Sequence, residues 1–231
     1  AMGSTTLNTN TTGSGNTGVG YAALTANTSG ASNVAVGSSA LQANTTAADN
    51  VAVGYQALLT NTTGAENTSV GSFSMNLNTT GSYNSAFGRL ALRVNTTGIQ
   101  NTAIGYQALA ANTTASNNSA FGYNALVLNT TGAENTAVGS LSLDANTTGA
   151  ENVAIGASAL SANTTAANNT AVGRMALRVN TTGASNTALG HQAMISNTTA
   201  SDCTAVGKGA LGANTTGESN VAVGSQCLDA N

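Results

Sequence analysis

Proline and tryptophan are absent from this chain of 231 residues, charged residues make up only 6% of it and aromatic residues only 3%. Soluble domains usually carry about a quarter charged residues, and a globular core needs large apolar side chains. This composition therefore excludes a conventional globular core. Either the chain is disordered, or it builds its interior from many thin, similar layers.

Positive charge is also scarce, because the chain has five Lys and Arg residues in all and a net charge of −3. That is too little to neutralise a nucleic-acid backbone, so we expect no nucleic-acid partner. No apolar run reaches the length of about 18 residues that a membrane span requires, so we expect no membrane insertion.

The residues that carry most enzyme chemistry are few and poorly placed. One His and two Cys match no zinc-binding spacing, and the acids lack the period of calcium-binding β-roll repeats. No phosphate-binding loop, carboxylate pair or nucleophile–base pair can be argued. We therefore expect no metal, no other cofactor and no enzymatic activity.

What the chain does have is a repeat of 17 residues. Thirteen copies cover residues 10–230 without insertion or deletion, and the unit is N-T-T-G-x-x-N-T-A-V-G-x-x-A-L-x-A. Such self-similarity indicates a solenoid. We assign residues 10–231 to one repeat domain and residues 1–9 to a lead-in that begins with a tag-like Ala1-Met2-Gly3-Ser4. Ordinary repeats at both ends favour a piece of a longer array.

The fold predicted for the repeat is all-β, a parallel β-solenoid of thirteen coils. Seventeen residues are too few for a helical pair, and the apolar positions alternate as in strands. We predict strands at positions 7–10 and 13–17 of each repeat, joined by a bend at positions 11–12. Coils then stack at about 4.8 Å. The regular apolar pattern excludes disorder.

Stacking in register predicts ladders of identical side chains. Asn ladders at positions 1 and 7 would hydrogen-bond along the axis, and Gly at position 11 would allow a positive φ. The first members of the three ladders are Asn10, Asn27, Asn44 and Asn61, Asn16, Asn33, Asn50 and Asn67, and Gly20, Gly37, Gly54 and Gly71. Position 7 has one exception, Cys203. Cys227 lies at position 14 of the next repeat, so we expect no intrachain disulfide; reduced thiols and an interchain link both stay open.

The alternation predicts which positions face inward. We expect positions 8, 10, 15 and 17 inside, and the alanines of positions 9 and 14 outside. Two outer Ala ladders would form a smooth face for association with other copies. The alternative is that a thin coil simply needs small residues at both positions.

Charge and aromatic residues are segregated between two positions. Five acids lie at position 6, namely Asp49, Glu66, Glu134, Glu151 and Asp202. Position 12 carries most of the bulky polar residues, which form a candidate ligand-facing edge because Tyr and Arg are common binding anchors. The alternative is that only this turn tolerates bulky residues. The members are Tyr21, Tyr55, Arg89, Tyr106, Tyr123, Arg174, His191 and Lys208.

Two known families have similar repeats. Asn-Thr-Ala-Val-Gly (135–139) and Asn-Val-Ala-Ile-Gly (152–156) resemble the S-V-A-I-G core of YadA-type head repeats in trimeric autotransporter adhesins. The string N-T-T-G-x-x-N-T-A-x-G-Y-Q-A-L at 95–109 resembles repeats in phage tail fibres. Both resemblances span residues 10–230. They imply a left-handed β-roll, a homotrimer, an extracellular place on a bacterial cell or virion, and a structural or adhesive role with a host-cell protein or glycan as partner.

Two other interpretations come from the Asn and Thr ladders. Positions 2 and 3 are Thr in nearly every repeat, and regular Thr and Asn ladders on a solenoid would suit an ice-binding protein. Adjacent Thr residues point to opposite faces of a strand, which weighs against it. Each position-1 Asn also starts an Asn-x-Thr/Ser glycosylation sequon, but an Asn ladder explains the pattern without sugar.

Overall fold

A computed structural model describes residues 1–229 and shows an all-β parallel β-solenoid, in which each 17-residue repeat contributes one three-residue strand. No helix occurs within the described residues. The predicted solenoid is therefore confirmed, while Ala230 and Asn231 of the assigned repeat domain lie outside the described part. The strands are β1 Thr17–Val19, β2 Val34–Val36, β3 Val51–Val53, β4 Thr68–Val70, β5 Ser85–Phe87, β6 Thr102–Ile104, β7 Ser119–Phe121, β8 Thr136–Val138, β9 Val153–Ile155, β10 Thr170–Val172, β11 Thr187–Leu189, β12 Thr204–Val206 and β13 Val221–Val223.

The chain divides into two compact units, Ala1–Asn117 and Asn118–Asn231. In the N-terminal unit β1 to β6 pair in chain order, and in the C-terminal unit β7 to β13 do the same. Every pairing is parallel and shifted by one repeat, as in Thr170 opposite Thr187. Equivalent residues of successive coils therefore lie over one another, about 4.8 Å apart.

Residues 2–9 stack on the first coil. Met2 forms a parallel bridge with Val19, and its amide donates to the Gly18 carbonyl at 2.9 Å. The amide of Leu7 donates to the Ala23 carbonyl at 3.1 Å. Residues 2–9 are thus structurally equivalent to positions 10–17 of the later repeats.

The second predicted strand, at positions 13–17, is wrong: this segment is a turn. Residues at positions 13 and 15 lie in the left-handed region, for example Gln107 with φ 54° and Leu109 with φ 53°. The amide of Gln107 donates to the Arg89 carbonyl of the preceding coil at 3.1 Å, whereas the amide of Leu92 donates to the Ala108 carbonyl of the following coil at 3.0 Å. The amides of positions 13 and 15 thus donate to opposite neighbouring coils, while the amide between them donates within its own coil, as from Ala108 to the Gly105 carbonyl at 3.4 Å.

The interior of a coil is a thin layer of one Leu or Met, two small residues and two Asn, with Cys203 in place of one Asn in a single repeat. Leu109, Ala103 and Ala108, at positions 15, 9 and 14, have no exposed surface. A left-handed φ costs a residue such as Leu about 1–2 kcal/mol, and full burial of its side chain stabilises the fold by about 1.5–3 kcal/mol. The packing therefore offsets the backbone strain.

The predicted orientation of the strand is also wrong, although position 15 lies inside as expected. Position 9 points inward and positions 8 and 10 point outward, as the partial exposure of Thr102 and Ile104 around buried Ala103 shows. Position 17 faces outward as well, since Leu128 is 52% exposed. The Leu of position 15 fills the thin interior, so only small residues fit opposite it. The outer Ala faces, and the association surface predicted on them, do not exist.

The predicted Asn ladder at position 1 is confirmed within each unit. Asn95 Nδ2 donates to Asn78 Oδ1 at 2.8 Å and to the Gly98 carbonyl at 2.9 Å, and Asn112 Nδ2 donates to Asn95 Oδ1 at 2.8 Å. All these side chains except the terminal ones are fully buried. The ladder ties each coil to its neighbours and closes the turn at positions 1–4, so a buried polar residue replaces part of an apolar core.

The ladder at position 7 is confirmed as well and tolerates one Cys. Asn67 Oδ1 accepts a hydrogen bond from the backbone N–H of Asn84 at 3.0 Å. The side chain of Asn84 donates through Nδ2 to the Gly98 carbonyl at 2.9 Å. Cys203 takes the same place, since its thiol donates to the Gly217 carbonyl at 3.2 Å. Both cysteines are free in the single chain, and Cys203 is buried. An interchain link through Cys203 would therefore require opening of the coil.

Glycine at position 11 has the predicted positive φ, for example 138° at Gly37. A Cβ added to Gly37 would lie only 2.4 Å from the Gly54 carbonyl oxygen of the next coil. Both the backbone conformation and the close stacking of coils therefore require glycine here.

Candidate functional site

The outer face of the sheet is formed by positions 8 and 10 and is the largest feature that the sequence interpretation missed. Position 10 is Val, Ile, Leu or Phe in all thirteen repeats. Ile104 and Ile155 are each 39% exposed, and Phe87 is 40% exposed. No charged residue occurs at positions 8, 9 or 10 of any repeat. The signal that could have revealed this face is the range of sizes at position 10, because a packed interior does not tolerate exchange of Val for Phe.

The residues of the candidate ligand-facing edge lie in the turn that follows position 11. All eight residues are exposed, and the exposed fraction of the four tyrosines ranges from 37% at Tyr106 to 63% at Tyr21. In the N-terminal unit the edge contains Tyr21, Tyr55, Arg89 and Tyr106, and in the C-terminal unit it contains Tyr123, Arg174, His191 and Lys208.

Three contacts link position-12 residues to the next coil. Arg89 Nη1 donates to the Tyr106 hydroxyl at 3.4 Å, and its guanidinium carbon lies 5.7 Å from the centre of the Tyr106 ring. Arg174 Nη1 lies 3.5 Å from His191 Nε2. The ring of Tyr55 packs edge-on against the ring of Phe73, with the centres 5.2 Å apart. The stacking of coils thus pairs cations with rings on this edge.

The five acids of position 6 are exposed and lie at the opposite end of the strands. Asp49 and Glu66 belong to consecutive coils, as do Glu134 and Glu151. Their backbone is left-handed, with φ of 58° at Asp49 and 56° at Glu66. Acidic side chains therefore precede β3, β4, β8, β9 and β12, and aromatic or basic side chains follow eight of the thirteen strands.

The Thr and Asn ladders differ in exposure, which bears on the ice-binding and glycosylation interpretations. Position-2 hydroxyls donate to the next coil, as in Thr62 Oγ1 to the Thr79 carbonyl at 3.0 Å. Position 3 is exposed in every repeat, as at Thr63, whereas position 2 is half-buried except at Thr11, Thr28 and Thr215. The Asn side chain of the sequon at Asn61 is fully buried and hydrogen-bonded. A glycan cannot be attached to such a side chain in the folded chain.

One carboxyl group of the chain is unusual. Asp144, at position 16, has Oδ1 buried without a hydrogen-bond partner. Burial raises the pKa of its carboxyl, and a backbone hydrogen bond partly counteracts this rise. The Asn124 side chain, at position 13 of the preceding coil, also has a buried oxygen without a partner. Positions 16 and 13 of two successive coils are also in contact elsewhere in the chain. Asn76, at position 16, donates through Nδ2 to the carbonyl of Gln56, at position 13 of the preceding coil, at 3.1 Å.

Residues 1–229 contain neither a cluster of metal-binding side chains nor a helix that could span a membrane. No group of three or more His, Cys, Asp or Glu side chains is arranged to hold a metal ion in that part of the chain. The same residues include no helix with the length and apolarity needed to cross a membrane.

The chain matches no protein-family model, no curated protein and no solved structure.

Proposed function

We propose that this chain is a structural or adhesive segment of a surface fibre, in which three copies assemble through the outer face of the sheet. The observation that carries the proposal is the apolar ladder at position 10, which occurs in every repeat and is exposed or half-exposed on the single chain. Contiguous exposed apolar surface of this kind marks interaction sites. The association surface is thus the outer sheet face in place of the Ala ladders.

The distribution of charge supports another copy of the chain as the occupant. The chain has 13 charged residues, 5 basic and 8 acidic, and none occupies positions 8–10 of any repeat. Buried centres of interfaces are depleted of charge, and their rims are polar. Because every coil presents nearly the same pair of side chains, the face of one copy matches the face of another coil by coil.

The width of the face supports closure around an axis. Each strand is three residues long, so the face is about 10 Å wide. Because the face is narrow, three copies can pack around a common axis. The face of each copy then contacts the faces of the two others. The number three and a left-handed coil follow from the resemblance to adhesin and tail-fibre repeats. The same resemblance supports an extracellular place on a bacterial cell or virion, with the outward turns displayed to a host-cell protein or glycan.

The first test is the mass in solution by light scattering coupled to size exclusion. A trimer of the 22.4 kDa chain has a mass of about 67 kDa, three times the monomer. Ile104→Glu places three carboxylates at the centre of the assembly and is expected to give monomers, because an unpaired buried charge is costly.

Ile99→Glu is the matched control. Ile99 is 40% exposed, close to the 39% of Ile104, but lies at position 5, away from the face. We expect this variant to stay trimeric. A monomeric wild type at high concentration would overturn the proposal, and so would an unchanged mass for folded Ile104→Glu.

Ice binding is the second candidate, and one observation favours it. Seven repeats have Thr at position 8, two residues before the apolar residue of position 10, so both point outward in a regular array. Among the ladders first considered, the Asn side chains are buried and the position-2 hydroxyls are bonded within the chain, but the position-3 hydroxyls are exposed. A monomeric protein that inhibits ice recrystallisation, with loss of the effect in Ile104→Glu, would support this function in place of assembly.

A further inference from the structure

All four arginines of the chain belong to one arrangement that occurs twice. Arg89 and Arg93 lie at positions 12 and 16 of one repeat, and Arg174 and Arg178 occupy the same positions 85 residues later, which is five repeats of 17. The surrounding stretches, 88–98 and 173–183, differ at one residue only. Four arginines scattered at random over the exposed positions would not fall into two identical pairs.

Each pair is completed by a ring from the next coil. Tyr106 contacts Arg89 in the N-terminal unit, at 3.4 Å from hydroxyl to Nη1. His191 occupies the equivalent place in the C-terminal unit, where its Nε2 lies 3.5 Å from Arg174 Nη1. A ring beside the guanidinium restrains the side chain, so that less entropy is lost when the group binds a ligand.

Positions 12 and 16 of a coil border the same strip of surface. Lys208 and Gly212, which have these positions in a later repeat, line one shallow depression together with Ile195. By the equivalence of coils, the two arginines of each pair flank one strip. We call the residues Arg89, Arg93 and Tyr106 the first arginine cluster and the residues Arg174, Arg178 and His191 the second.

No carboxylate neutralises either cluster from the adjacent coils of the same edge. Positions 13 and 17 carry no charge in any repeat. At positions 12 and 16, the coils before the clusters have Ser72 and Asn76, or Ala157 and Ser161, and the coils after them have Ala110 and Ile195 at position 16. All four guanidinium side chains are exposed. Their positive charge is therefore available to a ligand.

We propose that each arginine cluster binds an acidic group of a polysaccharide, a carboxylate or a sulfate. The planar guanidinium donates two parallel hydrogen bonds to such anions, and the exposed ring beside it offers a flat apolar surface to the sugar. The clusters are open to water, so one site binds weakly. A polymer with many acidic groups compensates through multivalent binding, whereas a free ion does not.

The test is binding to immobilised heparin, a sulfated polysaccharide, at low and moderate salt. The variant Arg89→Gln, Arg93→Gln, Arg174→Gln and Arg178→Gln is expected to bind about tenfold more weakly or not at all. Wild-type binding is expected to weaken with added salt. Polygalacturonate as a competitor distinguishes carboxylate from sulfate preference, and neutral dextran is expected not to compete.

The matched control places the same charge change elsewhere. Four Thr→Glu changes at position 3 also take the net charge from −3 to −7, and this control is expected to keep most of the heparin binding. The changes are Thr46→Glu, Thr80→Glu, Thr148→Glu and Thr182→Glu.

The inference is overturned by no binding of the wild type, by equal binding of the arginine variant, or by an equal loss in the control. A change in solution mass caused by the arginine variant would instead assign the clusters to contacts between copies. That outcome would contradict the proposed polysaccharide sites but not the proposed assembly.

Discussion

Replacement of one ladder asparagine tests whether the buried amides hold the coils together. Asn95 is fully buried and makes three side-chain hydrogen bonds, to Asn78, to the Gly98 carbonyl and from Asn112. Asn95→Ala removes all three. The neighbours differ in what remains: the Gly98 carbonyl still accepts from Asn84, and Asn112 Nδ2 still donates to the Ala115 carbonyl.

The expected cost follows from these neighbours. Asn78 Oδ1 loses its donor and stays buried, which costs about 1–3 kcal/mol. The two other lost hydrogen bonds cost about 1 kcal/mol each. We therefore expect Asn95→Ala to lower the free energy of unfolding by about 3–5 kcal/mol, a large fraction of the stability of a typical domain.

Asn95→Asp probes the same site with a pH signature. The new carboxylate oxygen replaces the amide nitrogen and faces the Gly98 carbonyl and Asn78 Oδ1, both acceptors. Burial raises the pKa of the introduced carboxyl above its value in the unfolded chain, so the protonated form is favoured in the fold. The loss of stability is therefore greatest at neutral pH, and it shrinks as the pH falls through the folded-state pKa.

Urea unfolding followed by circular dichroism measures these changes. Solenoids need not unfold in one step, so hydrogen exchange of the amides in the neighbouring coils is measured as well. Thr97→Ala, at exposed position 3 of the same coil, is the control and is expected to change stability by no more than about 0.5 kcal/mol. A loss below about 1 kcal/mol for Asn95→Ala would refute the view that the ladder holds the coils together.

Two further predictions concern the backbone and one carboxyl group. Gly37→Ala is expected to lower the free energy of unfolding by more than about 3 kcal/mol, because the added Cβ would clash with the Gly54 carbonyl. Gly209→Ala is expected to lower it by about 1 kcal/mol. The nearest atom to the Cβ added there is 3.6 Å away, so only the φ of 64° is strained. Equal costs in urea unfolding would contradict this difference. Asp144→Asn is expected to stabilise the fold at pH 7, because the raised pKa of Asp144 means that stability is lost as pH rises from below 3.8 through the folded-state pKa. The gain should disappear below pH 3.8, and a gain independent of pH would show another cause.

The features that depend on stacking in register were predictable from the sequence. The invariant Asn of positions 1 and 7 and the Gly of position 11 indicate ladders and a positive φ, and the structure confirms both. Each of these features depends only on the contact between a residue and the equivalent residue of the next coil. No knowledge of the path within the coil is needed for that step.

The path within the coil was not predictable from apolar alternation. The rule that large apolar residues face inward placed Ile104 inside and Ala103 outside, and the structure has them reversed. A coil of 17 residues has room for one large side chain, which is Leu109. The left-handed φ values of Gln107 and Leu109 were equally hidden, because neither residue type prefers that region and tertiary packing imposes it.

Of the two candidate surfaces, one was predictable from the sequence and the other was not. The position-12 edge was found because its residue types stand out, but its pairing of arginine with a ring depends on coil stacking. The outer sheet face was missed because its residues look like a core. Its members vary from Val138 to Phe121, and that variation is the property that separates a solvent-facing ladder from a packed one.

The ladders also bear on how genes for such chains change length. Each Asn bonds to the equivalent Asn of its neighbour, so removal of one complete repeat by recombination brings together two partners that are chemically the same as those lost. A deletion of any other length would shift Asn against Thr or Gly and leave buried amides without partners. Selection is thus expected to accept changes in repeat number and reject partial ones, and lineages of this protein should differ by whole coils.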